Sequence, residues 1–179
     1  SCRVFSSEML EPPSEETTQF YKAAGFGDAE LSVFHERFQA RSNFMTPMPT
    51  SYRQIRDGEN IRIGDFEWTV MVGTGHSPEH ACLYCKELNV FIAGDQNLPR
   101  ITPNVSVRPD QPSSNPLGEW LTTCEYFKNQ IGEQVLILPS HGDPFYGGPL
   151  RLQAIIDDHL VSLEKLSDYC NSPRRVVDV

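Results

Sequence analysis

Two histidines and an aspartate stand out, because each follows an apolar run that reads as a β-strand and each is flanked by glycine or proline. The segments are Gly73-Thr74-Gly75-His76-Ser77-Pro78-Glu79-His80, Ala93-Gly94-Asp95-Gln96 and Leu138-Pro139-Ser140-His141-Gly142-Asp143. Strand carboxyl ends are where α/β proteins gather ligand sites. Small residues beside polar ones let the backbone turn sharply and approach a ligand. If the three strands lie side by side, His76, Asp95 and His141 come together, and a set of imidazole and carboxylate donors suits zinc, iron or manganese. Each residue alone has an ordinary explanation. A lone histidine is more often a polar core or surface residue than a ligand, and Gly-Asp after a strand is usually a turn. His35 and His159 fall inside helical stretches with no partner pattern and read as structural. The joint pattern, three strand ends in order, is what points to a metal.

These residues need elements to position them. Arg3-Val4-Phe5 is consistent with a short strand. A helix follows with Ser14 as its N-cap, Glu15 and Glu16 in its first turn and Gly25 as its stop. A second helix starts near Asp28 and places Leu31, Phe34 and Phe38 on one face. The period then changes. Asp57-Gly58 and Gly64-Asp65 are turn signals. Ile61 to Ile63 and Phe66 to Val72 read as strands, the second with Phe66, Trp68, Val70 and Val72 on one face and Glu67, Thr69 and Met71 on the other. His80 to Cys85 and Asn89 to Ala93 are two more strands joined by a tight turn at Lys86 to Leu88. Gln96 to Pro116 is a long loop rich in Pro, Asn and Ser, and loops of that length are usually functional or mobile. A helix over about Leu117 to Ile131 carries Trp120, Leu121, Cys124 and Phe127 at helical spacing. Gln134 to Leu138 reads as a buried strand. A last helix covers about Leu150 to Tyr169, with Leu152, Ile155, Ile156, Leu163 and Leu166 facing inward. Strands followed by strand–helix alternation give an α/β fold with a mixed sheet and flanking helices, and no linker divides the 179 residues, so one domain is expected.

Composition narrows the function classes. Hydrophobic residues make up 39% and charged residues 22%, as in a folded globular protein. A net charge of −9 repels phosphate backbones and anionic lipid, so neither nucleic acid nor a membrane is expected as a partner. No apolar run approaches the roughly 20 residues needed to span a bilayer. The five cysteines are scattered, which does not suit a disulfide framework and suggests a reducing, cytoplasmic setting. Cys82-Leu83-Tyr84-Cys85 is formally a CxxC. It lies in a strand reading, where positions three apart point to opposite faces, so it is expected to be packed rather than metal-binding.

Gly75-His76-Ser77-Pro78-Glu79-His80 resembles the "GHTPGH" segment of the metallo-β-lactamase superfamily, which includes the glyoxalase II enzymes. Gly94-Asp95 resembles that family's bridging aspartate, and Ser140-His141-Gly142 its last histidine. The resemblance runs over nearly the whole chain. It implies an αββα sandwich with a two-metal site at one edge, most simply a zinc site. His76 would serve the first metal, His141 the second, and Asp95 would bridge both. His80 matches a histidine that supports the site without binding metal. The implied chemistry is metal-assisted hydrolysis, in which the metals activate water near neutral pH and polarise the scissile group.

Two departures from the family pattern stand out. Glu79 replaces the usual glycine. The family's "HxHxDH" segment, which supplies two further ligands to each metal, is absent: no two histidines here are separated by one residue. The chain thus reads as the C-terminal part of the family's domain, a partial sandwich with two protein ligands per metal, where catalytic zinc typically keeps three plus water. The expectation is a metal-dependent hydrolase of an ester, thioester, lactone or related bond whose activity is lost or nearly lost in this chain alone. The alternative is a degenerate, non-catalytic binding module of the same fold. A third reading is a site completed by a second copy, and a sheet shorn of strands invites a homodimer covering it. Arg100, in the long loop, and Asp143 and Tyr146, after His141, are placed to contact a small-molecule substrate; Leu98 and Ile101 are expected to line the same pocket.

Overall fold

The computed structural model describes residues 13–42 and 51–179. The strand expected at Arg3–Phe5 lies outside the described residues. The chain forms two compact units by contact: one of Ser1–Arg53 with Arg108–Pro112 and Tyr169–Val179, the other of Gln54–Val107 with Ser113–Asp168.

The first unit holds helices α1 (Glu15–Ala23) and α2 (Asp28–Ser42). Ser14 caps α1 by accepting from the Thr17 amide at 3.1 Å, and Glu15 and Glu16 sit at the positive end of the helix dipole. Gly25, at φ 101°, ends the helix in the left-handed region that glycine adopts freely. The α2 stripe is aromatic: Phe34 packs on Tyr21 with ring centroids 4.5 Å apart and on Phe38 at 6.1 Å, and Leu31 is buried. A short 3-10 turn, Val176–Asp178, is tied to this unit by the Val177 amide donating to the Ala24 carbonyl at 3.1 Å.

The second unit is built on a five-stranded sheet of β1 (Asn60–Ile63), β2 (Phe66–Gly73), β3 (His80–Cys85), β4 (Val90–Gly94) and β5 (Leu136–Pro139), in that spatial order. The first four strands form an antiparallel meander, and β5 joins β4 in parallel. Between β4 and β5 the chain crosses over through helix α3 (Pro116–Gln130), and α4 (Gly148–Tyr169) follows β5. This is the mixed, helix-flanked α/β sheet that the pattern anticipated. The topology also makes β2, β4 and β5 run in the same direction, so their carboxyl ends lie along one edge of the sheet.

One face of the sheet packs on the helices. Met71, Cys82, Phe91, Ala93 and Ile137 meet Trp120, Cys124 and Phe127 of α3 and Leu152, Ile155 and Ile156 of α4 in one core cluster. Phe91 and Phe127 contact edge to face at 5.5 Å. Burial on both sheet faces at the inner end of β2 explains why Met71 is covered although it alternates with the buried Trp68 and Val70. Cys82 and Cys85 are both fully buried on opposite sides of β3, as expected of a packed pair.

The last helix corrects one expectation. Leu163 and Leu166 share the helical period of Leu152 and Ile155, but each is 39% exposed. The reason is length. Twenty-two residues of helix run about 33 Å, whereas strands of four to eight residues span about 13–27 Å. The helix overruns the sheet, and from Asp157 onward none of its residues is buried.

Candidate metal centre

The three segments singled out by residue type meet at the shared strand edge. His76 lies just beyond β2, Asp95 just beyond β4 and His141 just beyond β5. His76 Nε2 stands 3.1 Å from Asp95 Oδ2, and His141 Nε2 stands 3.6 Å from Asp95 Oδ1. One carboxylate therefore faces two imidazoles, one through each oxygen. Donors about 2.0–2.1 Å from a tetrahedral ion stand roughly 3.3 Å from each other. The two observed separations bracket that value, so each nitrogen–oxygen pair fits two corners of a zinc-like ion. Among the described residues, no set of three His, Cys, Asp or Glu side chains is arranged to hold one ion.

The tautomer of His76 follows from its neighbours. Its Nδ1 lies 2.8 Å from the Asn104 carbonyl oxygen. A carbonyl only accepts, so the proton sits on Nδ1. In the neutral ring Nε2 then presents a lone pair toward Asp95 Oδ2, which also only accepts. Two acceptors at 3.1 Å repel unless a positive charge lies between them, as a second proton or a metal cation.

His80 is held by a complete donor–acceptor chain. Its Nε2 accepts from the Asp95 amide at 3.2 Å, so Nδ1 carries the proton and faces the Cys82 sulfur at 3.6 Å. The Cys82 thiol in turn donates to the Ala93 carbonyl at 3.3 Å. His80 is thus a brace for the backbone that carries Asp95. Burial lowers its pKa, His76 nearby lowers it further, and Asp95 opposes both. Burial pushes the Cys82 thiol up to about 12. Asp95 is partly buried, which raises its pKa, but the Ser140 hydroxyl and the three histidines outweigh that and hold it below the ordinary 3.8.

The local backbone explains why these positions converge. Gly94, at φ 54°, lies against the His80 ring, and a Cβ there would stand 2.8 Å from Nε2. Gly75, at φ 97°, lets the His76 turn press on α3: a Cβ would meet Trp120 Cβ at 2.5 Å and the Pro116 carbonyl at 2.7 Å. Thr123 of α3 accepts from the Thr74 amide at 3.0 Å and pins the same turn. Gln96, fully buried, packs over Gly73, joining the ends of β2 and β4. On the third side, the Ser140 amide donates to the Gly94 carbonyl at 3.0 Å, and the Ser140 hydroxyl donates to Asp95 Oδ1.

Not every residue expected near a substrate joins this group. Arg100, Asp143 and Tyr146 are exposed beside the site segments, and none is bonded or ion-paired to His76, Asp95 or His141 among the described residues. Leu98 is corrected: at 1% exposure it is a core residue and lines no open pocket. Its neighbours Gln96 and Asn97 are equally buried, so the long loop starts as a packed segment. Sequence reasoning missed the Asn104 carbonyl and Thr123. The first is backbone and carries no side-chain signal. The second sits on the core stripe of α3 and reads as packing.

A family model described as the metallo-beta-lactamase superfamily matches residues 15–167. A beta-lactamase domain protein from Burkholderia ambifaria is similar in structure, with a TM-score of 0.75 and 31% identity over 94% of this chain and 46% of that one. A metallo-beta-lactamase family protein from Thermus thermophilus shares the fold at a TM-score of 0.69 and 22% identity, over 87% of this chain and 52% of that one. An uncharacterized protein of Aquifex aeolicus (strain VF5) is 43% identical over 49 residues, 27% of this chain and 23% of that protein. The chain spans about half the length of the two solved structures it resembles. With the family match over most of its length, and that match spanning the sheet and helices that gather His76, Asp95 and His141, the chain belongs to the metallo-β-lactamase superfamily.

Proposed function

We propose that this chain carries part of a metal-dependent hydrolytic centre acting on an ester, thioester, lactone or related bond. The observation that carries the reading is the His76–Asp95–His141 arrangement: two imidazole Nε2 atoms facing the two oxygens of one carboxylate, with the His76 lone pair aimed at an acceptor. Such a set calls for cations. A divalent metal bound there supplies Lewis acidity toward water and toward the group to be cleaved. The chain's own residues do the rest. Asp95, kept ionised by Ser140 and the histidines, offers one oxygen to each side of the site. Asn104 and His80 fix the direction of His76 and of the Asp95 backbone. Zinc is the metal that best matches imidazole and carboxylate donors at these separations, with iron and manganese accepting the same set.

Two protein ligands for each metal fall short of the three typical of catalytic zinc. The remaining histidines, His35 and His159, sit inside helices α2 and α4 rather than at the three strand ends. On this reading the chain by itself is inactive or nearly so, and a working centre needs ligands beyond these two for each metal. The test is a hydrolysis screen over ester, thioester and lactone substrates with added zinc, run on this chain and on the protein as its cell makes it. Metal-dependent turnover in the latter that disappears in Asp95→Asn supports the reading. Comparable turnover from this chain alone would contradict the half-site, and no turnover from either would leave the non-catalytic binding module as the better description.

A further inference from the structure

The Asn104 carbonyl sits on a loop, and a loop carbonyl can fix a histidine only if the loop itself is fixed. Three contacts fasten it. Arg151, in the first turn of α4, donates from Nε to the Leu98 carbonyl at 2.8 Å and from Nη2 to the Ile101 carbonyl at 3.1 Å. The Asn97 side chain donates to the Gly148 carbonyl at 3.2 Å, at the start of the same helix. Three residues after Ile101, Asn104 accepts from His76 Nδ1 at 2.8 Å. Ser106 donates to the Asn104 side chain at 2.8 Å and holds that residue from the far side.

Arg151 suits the task chemically. A guanidinium is planar and always charged, and its fork can serve two carbonyls at a fixed spacing; a lysine ammonium cannot reproduce that geometry. The charge strengthens both bonds. Leu98 is buried and Val105, after Asn104, packs against the core, but Arg100 to Thr102 between them are exposed, and Arg151 is what holds that stretch. We propose that Arg151 is a positioning residue: by clamping the backbone at Leu98 and Ile101, it presents the Asn104 carbonyl to His76 and keeps the His76 Nε2 lone pair directed at the site. The inference rests on the reading of His76 as a metal ligand, but the clamp can be observed without a metal.

The experiment is long-range proton–nitrogen NMR of the imidazoles in the chelator-treated chain near pH 8. Wild type is expected to hold a proton on His76 Nδ1, either alone or with a second proton on Nε2 facing Asp95. Arg151→Ala is expected to show a mixture of the two tautomers, and Arg151→Lys a similar mixture, because the charge remains but the fork is lost. Leu152→Ala, a core change in the same helical turn, is the comparison: it should lower stability and leave the proton on His76 Nδ1 in place. If Arg151→Ala does not fold, Arg151→Lys carries the same test. A mixed or Nε2–H tautomer in wild type overturns the clamp, as does an Nδ1–H tautomer that survives both Arg151 variants or is lost equally in Leu152→Ala. Failure to bind zinc, with the tautomer results as expected, would remove the metal reading and leave the clamp standing.

Discussion

Replacing Gly94 by alanine tests how the sheet edge sets the site. Gly94 has φ 54°, and its missing Cβ is where the His80 ring lies. Placing an L side chain in the left-handed region costs roughly 1–2 kcal/mol. The new methyl must also displace the ring, and the Asp95 amide then loses its acceptor, a penalty of about 1–3 kcal/mol for a partly buried donor. Alanine returns about 0.4–1 kcal/mol by restricting the unfolded chain. The net expected loss is about 2–4 kcal/mol. Gly64 supplies the control. It has φ 63° but nothing within 4 Å of an added Cβ, so Gly64→Ala carries the backbone penalty alone, about 1 kcal/mol. Urea unfolding followed by tryptophan fluorescence measures both. At a typical slope of about 1–3 kcal/mol per molar urea, Gly94→Ala should shift the midpoint at least twice as far as Gly64→Ala. Equal shifts would refute the argument that Gly94 exists to seat His80.

His80 should titrate below the ordinary 6.5, read from its own imidazole resonance. Its folded-state value is depressed, so its contribution to stability is fully present above about pH 6.5 and is lost as pH falls through the folded value; a midpoint at or above 6.5 would contradict the brace. Thr123→Val keeps the shape of α3 but removes the acceptor of the Thr74 amide, and should cost about 1–3 kcal/mol in urea unfolding; a loss below about 0.5 kcal/mol would show that Gly75 and Trp120 hold the turn unaided. In a Cys2→Ser variant, a thiol reagent at pH 8 should react quickly with one equivalent, Cys170, because Cys82, Cys85 and Cys124 are buried and burial pushes the Cys82 and Cys124 thiols up to about 12. Two or more fast equivalents in the native protein would mean that the core on β3 and α3 opens.

Much of this can be read from residue order because it depends on local chemistry. Ser14 and the acidic pair after it name a helix start, Asp57-Gly58 and Gly64-Asp65 name turns, and Trp120, Cys124 and Phe127 name a buried face. His76, Asp95 and His141 are visible because Gly and Pro around them mark strand ends, and the sheet order brings those ends together. What stays hidden depends on partners. Periodicity puts Leu163 and Leu166 on the inward face of α4 but cannot say that the sheet ends before them. Leu98 resembles a pocket residue in a polar loop, yet it is packed, because the loop begins buried, with Gln96 against Gly73 and Asn97 bonded to the Gly148 carbonyl. The Asn104 carbonyl and the Arg151 fork act through backbone atoms, which every residue carries alike.

The central claim is that His76, Asp95 and His141 hold metal between them, and zinc uptake tests it most directly. Equilibrium dialysis of the chelator-treated chain against a graded zinc series, with elemental analysis of the protein, should show weak binding in wild type that drops sharply in Asp95→Ala and in His76→Ala. Binding that is unchanged in both variants, or no binding by wild type even at millimolar zinc, would contradict it.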